Sequence, residues 1–180
     1  RGFSDESIRA AALGWFGNDW DGLRGALGAR KVAVDAPAAV ALIGFRGDVA
    51  AWAEAHGVTP ASRWIEQGKI PAMPPQMLIY PHVLGGRVTY LSGRRIAPEG
   101  DTPKSWNPPR ELAGERQPFF NALWGHKATS LVIVEGQACA ITLAQWGLPA
   151  AALAGVELTE RSALIDQVQK HSTALDSVSI

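Results

Sequence analysis

The sequence predicts an α/β protein built from two architectures in series, and three observations carry that expectation. Leu131–Val134 is an unbroken β-branched and aliphatic run, which reads as a strand buried on both faces. It closes on Glu135-Gly136, an amphipathic run follows from Ala138 to Gln145, and Ala150–Ala154 offers a second buried strand. Strand, acid, glycine, helix, strand is a βαβ unit, and its carboxylate lies at the carboxyl end of a strand, where open α/β sheets keep their functional groups. The second observation is PAMPPQ, 71–76, whose prolines hold no regular structure and mark a change of architecture. The third is a pair of strand-like runs just after it, Met77–Tyr80 and Arg87–Leu91, with His82 to Gly86 as the turn of a β-hairpin.

Length and composition bound the function classes. The 180 residues suffice for one domain or two small ones with real cores. Hydrophobic residues make up 47%, and 17 basic residues balance 17 acidic ones. That is globular composition, and any argument for nucleic acid must come from a local cluster. A single cysteine, Cys139, excludes an internal disulfide and a Cys-rich zinc site. With no His near it in sequence, it reads as a small buried residue. No apolar run reaches the roughly 18–20 residues of a membrane span and no signal peptide is visible, so a soluble cytoplasmic protein with no membrane partner is expected. The chain begins at Arg1 without a Met, as expected of a fragment of something longer.

Taken in order, the first 68 residues read as mostly helical. Ser4 is a candidate N-cap for a short helix, Ser7 to Leu13, stopped at Gly14. Asp19 can cap a helix with Trp20, Leu23 and Leu27 on one face, and Trp15, Phe16 and Trp20 read as packing residues. A third helix spans Ala38 to Ala55, with Pro37 in its first turn and Val40, Ile43, Val49 and Trp52 on its buried side; Gly44 and Gly47 allow it to be two shorter helices. His56 and Gly57 mark its end. Thr59-Pro60 then signals another, Ala61 to Gln67, closed by Gly68.

Beyond the hairpin, SGRRIAPEGDTPKSWNPPRELAGERQPFF is polar and proline-rich, which predicts a long ordered loop rather than a helix. Arg87, Arg94, Arg95, Lys104 and Arg110 fall within 24 residues against only Glu99 and Asp101. This is the one basic concentration in the chain, to be read as a solvated loop or as an anion-binding surface. After the βαβ unit, Thr159 can cap a further helix, and Ser177 to Ile180 begins a β-like run. The four histidines have no metal-ligand spacing, so they read as structural or surface residues.

Together these stretches resemble the catalytic core of bacterial-type DNA primases, phage versions included, over most of residues 10–180. VIVEG, the helix through Trp146, AALAG and ELTE are similar to the first half of a TOPRIM domain, the metal-binding module that those primases share with topoisomerases. ALGWFGNDWDGLRGALG looks like the family's early helix pair, MLIYPHVLGGRVTYLSGRRI like its hairpin, and TPKSWNPP like its Pro-Lys-aromatic-Asn-Ser-Pro segment, all in the family's order. The resemblance divides the chain into an N-terminal primase-core subdomain, 1–127, helical over 1–70 with hairpin and basic loop over 76–127, and a TOPRIM subdomain, 128–180, that stops before its third strand is complete. The implied fold class is α/β: an α+β subdomain followed by a partial parallel-sheet βαβα unit.

Carried over position by position, Arg94 matches the hairpin's basic residue, Lys104 the loop lysine, Asn107 the loop asparagine and Glu135 the first TOPRIM acid. There are departures. Met77 stands where the family usually has Arg, and Ser105 displaces the loop aromatic to Trp106. Ala138 stands near the place of a further acid. A basic residue usual near Phe120 is missing, with Arg116 or Lys127 as substitutes. The family's Asp-x-Asp pair, at the end of the third TOPRIM strand, is expected just beyond Ile180; Asp176 precedes that strand and reads as a loop or cap residue.

The resemblance implies nucleotidyl transfer: RNA primer synthesis on single-stranded DNA from nucleoside triphosphates with Mg2+ or Mn2+. Glu135 is then a metal ligand or a general base or acid, with a helix-capping carboxylate as the structural alternative. Arg94, Arg95 and Lys104 face template phosphates and the triphosphate, and Trp106 stacks on a base or packs. A replicative helicase is implied as a partner through regions outside this chain. A non-catalytic module for single-strand binding or replisome assembly is the second hypothesis, and a TOPRIM nuclease is disfavoured by the hairpin and the lysine loop.

Overall fold

The structure, a computed structural model, describes residues 2–84, 87–97, 102–114, 118–119, 130–154 and 177–179. The chain divides into two compact units: unit 1, Arg1–Gly14, Ile79–Ser92 and Arg116–Ile180, and unit 2, Trp15–Leu78 and Gly93–Glu115. Among the described residues no helix is long and apolar enough to cross a membrane.

Unit 2 holds most of the helical segments before the hairpin. Helix α1, Asp5–Ala10, belongs to unit 1 and is capped by Ser4, whose hydroxyl accepts from the Ser7 N–H. It ends before the expected Leu13, because the chain turns at Ala12 (φ 54) and Gly14–Phe16 forms strand β1. Trp15 points outward from that strand and is 57% exposed, so it is not the packing residue the sequence suggests, whereas Phe16 is buried. Helix α2, Trp20–Ala29, starts at the expected Asp19 cap. Its Trp20, Leu23 and Leu27 do share the inner face, but they are only half-buried.

The long third helix is two helices, α3 Pro37–Ile43 and α4 Val49–His56. Gly44 (φ 72) and Gly47 (φ 141) take backbone conformations that stop a right-handed helix, and Phe45–Arg46 between them becomes strand β2. Helix α5, Ser62–Gln67, begins at an Ala61 N-cap rather than at Thr59, and Gly68 (φ 58) closes it into strand β3, Lys69–Ile70. β2 and β3 pair antiparallel, Phe45 with Ile70 and Arg46 with Lys69, so the α4–α5 excursion is fastened at its base. Its core is the expected apolar face: Val40, Val49 and Trp52 with Trp64, Ile70 and Leu112. His56 stacks on Trp52 at 5.1 Å and is a structural histidine, as expected.

Strands β4, Met77–Leu84, and β5, Arg87–Arg95, are longer than the sequence suggests. Pro81 and His82 are strand residues, not turn residues, because the hairpin's inward-facing Tyr80, His82, Tyr90 and Ser92 are all buried. The proline-rich stretch is not all loop either. Ser105–Trp106 forms strand β6 beside β5, and Arg110–Ala113 forms a one-turn helix, α6, that places Leu112 in the unit 2 core. The order of this sheet is β1-β4-β5-β6.

Unit 1 contains the predicted βαβ unit: β7 Ser130–Val134, α7 Gln137–Gln145 and β8 Ala150–Ala152. β7 is central in a parallel sheet of order β8-β7-β9, where β9 is Ser177–Ser179. Leu131 and Ile133 are buried, as an aliphatic central strand requires. β8 is all alanine and fully buried, and α7 turns Ala140, Ile141 and Ala144 inward. Cys139 lies off that apolar face and is exposed, which corrects its reading as a buried residue. Phe119 bridges to Ala152 on the other side of β8 through two backbone hydrogen bonds, 2.8 and 2.9 Å. The expected helix from Thr159, together with Asp176, Arg116 and Lys127, lies outside the described residues.

Candidate functional site

Glu135 occupies the position the sequence assigns it, directly after the central strand β7 at its carboxyl end. The backbone fixes it there. Its carbonyl accepts from the Ala154 N–H at 3.0 Å, and the Val134 carbonyl accepts from the Leu153 N–H at 2.9 Å, so the segment after β8 holds the turn after β7. The side chain is exposed and forms no hydrogen bond or ion pair with the described residues. It does not cap the helix that follows: the N-cap of α7 is Gly136, with no side-chain cap bond. A Cβ added at Gly136 would meet nothing within 4 Å, so the space beside the Gly136 backbone is open among the described residues. Among the described residues no three His, Cys, Asp or Glu side chains gather as a metal site, so Glu135 supplies one oxygen donor group and an ion held there needs others.

The basic residues stand on unit 2. Gly93 pairs with Trp106 and Arg94 with Ser105, and the next step is the Arg95 N–H donating to the Lys104 carbonyl at 2.9 Å. Arg94 on β5 and Lys104 just before β6, ten positions apart in the sequence, are thus brought together on paired backbone, and both are exposed. Arg95 is half-buried, and its Nε is buried without a hydrogen-bond partner. Trp106 and Asn107 are half-buried, with Trp106 opposite the side-chain-free Gly93. The structure therefore brings Arg94, Arg95, Lys104, Trp106 and Asn107 onto one antiparallel pair and its continuation. Glu135 belongs to the other unit and is described by itself.

A buried polar chain supports the Glu135 turn, and the sequence did not reveal it. His82 is 1% exposed, with Nδ1 3.1 Å from the Pro118 carbonyl and Nε2 2.9 Å from Ser92 Oγ. A carbonyl only accepts, so Nδ1 carries the proton, and when the ring is neutral Nε2 accepts from the Ser92 hydroxyl. Gln137 Nε2 donates to the same Ser92 oxygen at 2.9 Å. Tyr90 and Phe119 enclose the imidazole edge-on. Gln137 is the first residue of α7, two positions after Glu135, so this chain ties the turn bearing the acid to β5. Its members lie 10 and 45 positions apart, and no local spacing signals them. The one available hint is a polar His82 inside an apolar strand run.

No family model and no curated protein sequence matches this chain. Solved structures do. The E. coli primase catalytic core superposes with a TM-score of 0.60 at 23% identity, covering 98% of this chain and 50% of that one. A DnaG primase catalytic domain bound to ssDNA gives 0.60 and 23%, covering 98% and 49%. The Aquifex aeolicus primase, comprising zinc-binding and RNA polymerase domains, gives 0.59 and 18%, covering 98% and 39%. The chain thus spans half or less of the length of these structures, and throughout its own length it shares their α/β fold.

Proposed function

With the fold of the bacterial-type primase core as premise, we propose that this chain is part of a primase RNA-polymerase domain, which makes short RNA primers on single-stranded DNA from nucleoside triphosphates. The observation that carries the reading is Glu135, an exposed, uncommitted carboxylate at the end of the central parallel strand of that fold. In the reaction a primer 3′-hydroxyl oxygen bonds to the α-phosphorus of the incoming triphosphate. The bond from that phosphorus to the bridging oxygen breaks, pyrophosphate leaves, and the hydroxyl proton passes to a base or to water. A bound Mg2+ or Mn2+ would supply charge neutralisation of the triphosphate and a lowered hydroxyl pKa.

Glu135 would be one donor to that ion. Arg94 and Lys104 neutralise template and triphosphate phosphates, with Arg95 beside them. Asn107 hydrogen-bonds the nucleotide, and Trp106 offers a base a flat apolar face. A structure similar in fold is bound to ssDNA, which supports a single-stranded template as partner. A replicative helicase would be engaged through regions outside this chain.

The test is RNA synthesis on a single-stranded template with Mg2+ or Mn2+ by the full-length natural protein that contains this chain. Glu135→Gln is expected to abolish it. Undiminished synthesis by the variant would remove Glu135 from the mechanism.

A further inference from the structure

We propose that Gln137 is a positioning residue for Glu135, acting through a buried run of hydrogen bonds from α7 into the hairpin; the proposal rests on the reading of Glu135 as a metal-binding acid. The two sides of the Glu135 turn are held differently. On the strand side, the Leu153 and Ala154 N–H groups donate to the Val134 and Glu135 carbonyls. On the helix side the link is Gly136, which supplies no side-chain cap and where an added Cβ would meet nothing within 4 Å. The direction in which the chain leaves Glu135 therefore follows from how α7 is seated.

Apolar packing seats α7 weakly. Its buried residues are Ala140, Ile141 and Ala144, and β8, on which it packs, is all alanine. Such small side chains bury little apolar area each and interlock poorly. A polar tether at each end of α7 supplies the register instead. At the far end Gln145 Oε1 accepts from the Ser4 N–H at 2.8 Å. At the near end Gln137 Nε2 donates to Ser92 Oγ at 2.9 Å. The near tether is stiff. Ser92 is 3% exposed, and its oxygen also lies 2.9 Å from Nε2 of His82, whose Nδ1 is 3.1 Å from the Pro118 carbonyl. The order of donation is fixed from that carbonyl, which has no hydrogen to give. His82 Nδ1 supplies one, and with the ring neutral Nε2 takes the single Ser92 hydrogen, so Ser92 Oγ can only accept from residue 137. Gln137 meets that demand with its amide N–H, two positions after Glu135. Displacing a reacting group by about 1 Å can cost about 10²-fold in rate, so a tether of this kind bears directly on the acid.

The experiment measures Mn2+ binding by electron paramagnetic resonance, alongside primer synthesis, in the full-length natural protein that contains this chain. Glu135→Gln identifies the Mn2+ site to which Glu135 contributes. Gln137→Met keeps the side-chain length and removes the donor. It should weaken that site about tenfold and lower kcat about tenfold, with KM for nucleoside triphosphate little changed. Ser92→Ala, which cuts the run 45 positions away from Gln137, should act in the same direction. Gln145→Met, which cuts the far tether, should leave the site within about twofold of the parent. In the Glu135→Gln background, Gln137→Met should leave the remaining Mn2+ binding unchanged, as expected of a residue that acts through Glu135. Unchanged affinity and kcat in both Gln137→Met and Ser92→Ala, with both lowered in Glu135→Gln, would overturn the proposal and leave the reading of Glu135 standing. An equal loss in Gln145→Met would overturn it too, because general loosening of α7 would then explain the effect. So would a full further loss when Gln137→Met is added to Glu135→Gln, which would make Gln137 act independently of the acid. If Glu135→Gln changes neither measurement, the reading of Glu135 fails and the positioning role falls with it.

Discussion

The two antiparallel pairs of unit 2, β2–β3 and β5–β6, both bring basic residues onto neighbouring backbone, Arg46 opposite Lys69 and Arg95 bonded to the Lys104 carbonyl, yet they rest on different supports. β2–β3 joins the ends of a helical excursion and is anchored by Phe45 and Ile70 in a core shared with Trp52 and Trp64. β5–β6 has no such anchor: Arg94 faces Ser105, and Trp106 faces Gly93. One pair is fixed by burial, while the other is a short extension of a hairpin strand. The parallel strand β7 of unit 1 is a third case, in which Glu135 follows a central strand whose Leu131 and Ile133 are buried while Val132 and Val134 are half-buried. Burial thus anchors β2–β3 and β7, and Arg46, Lys69 and Glu135 beside them are exposed.

The largest expected effect tests the acid that burial positions without engaging. Glu135→Gln should lower primer synthesis by about 10³-fold or more, the scale of removing an essential electrostatic group. Its urea midpoint should stay within the roughly 0.5 kcal/mol typical of exposed substitutions. A comparable loss of stability would make Glu135 structural. Next comes Gly44→Ala, which attacks the support of β2–β3. Gly44 has φ 72, and an added Cβ would stand 2.9 Å from both the Ala72 nitrogen and the Ile70 oxygen. Backbone strain and a backbone clash together should cost about 3 kcal/mol in urea unfolding. A loss below about 1 kcal/mol would mean that the β3 side gives way.

His82→Ala removes the buried ring and leaves Ser92 and the Pro118 carbonyl without it. A cost of about 2–3 kcal/mol is expected by denaturant titration. Ser92→Ala should cost less, about 1–2 kcal/mol, by stranding His82 and Gln137. Equal stability of both variants to the parent would show that the polar chain contributes nothing. The smallest effects are expected on β5–β6. Arg94→Gln should weaken single-strand binding a few fold and flatten the salt slope by about 0.7, with stability unmoved. A salt slope identical to the parent's would take Arg94 off the phosphate path.

How much was legible follows from distance along the chain. The βαβ unit occupies one contiguous stretch, so its first strand, acid and helix were readable, while Cys139 proves exposed and the second strand ends at Ala152 rather than Ala154. The Asp19 cap and the glycines at 44, 47, 57 and 68 were likewise local signals. The strand β6 was not readable, because two residues among prolines carry no periodicity, and they become a strand only by pairing with Gly93 and Arg94. His82 reads in the sequence as part of the hairpin turn, and tertiary burial makes it a strand residue instead.

The sequence by itself determined the helices capped by Ser4 and Asp19, the aliphatic strand that ends in Glu135, and the concentration of basic residues between 87 and 110. Those are properties of neighbouring residues, set by steric preference and hydrophobic period. Only the tertiary structure decided that Arg46 stands opposite Lys69, that Lys104 returns to the strand of Arg94, and that Gln137, Ser92 and His82 form one buried chain. Such pairings depend on strand register and core burial, and no stretch of sequence short enough to read locally contains both partners.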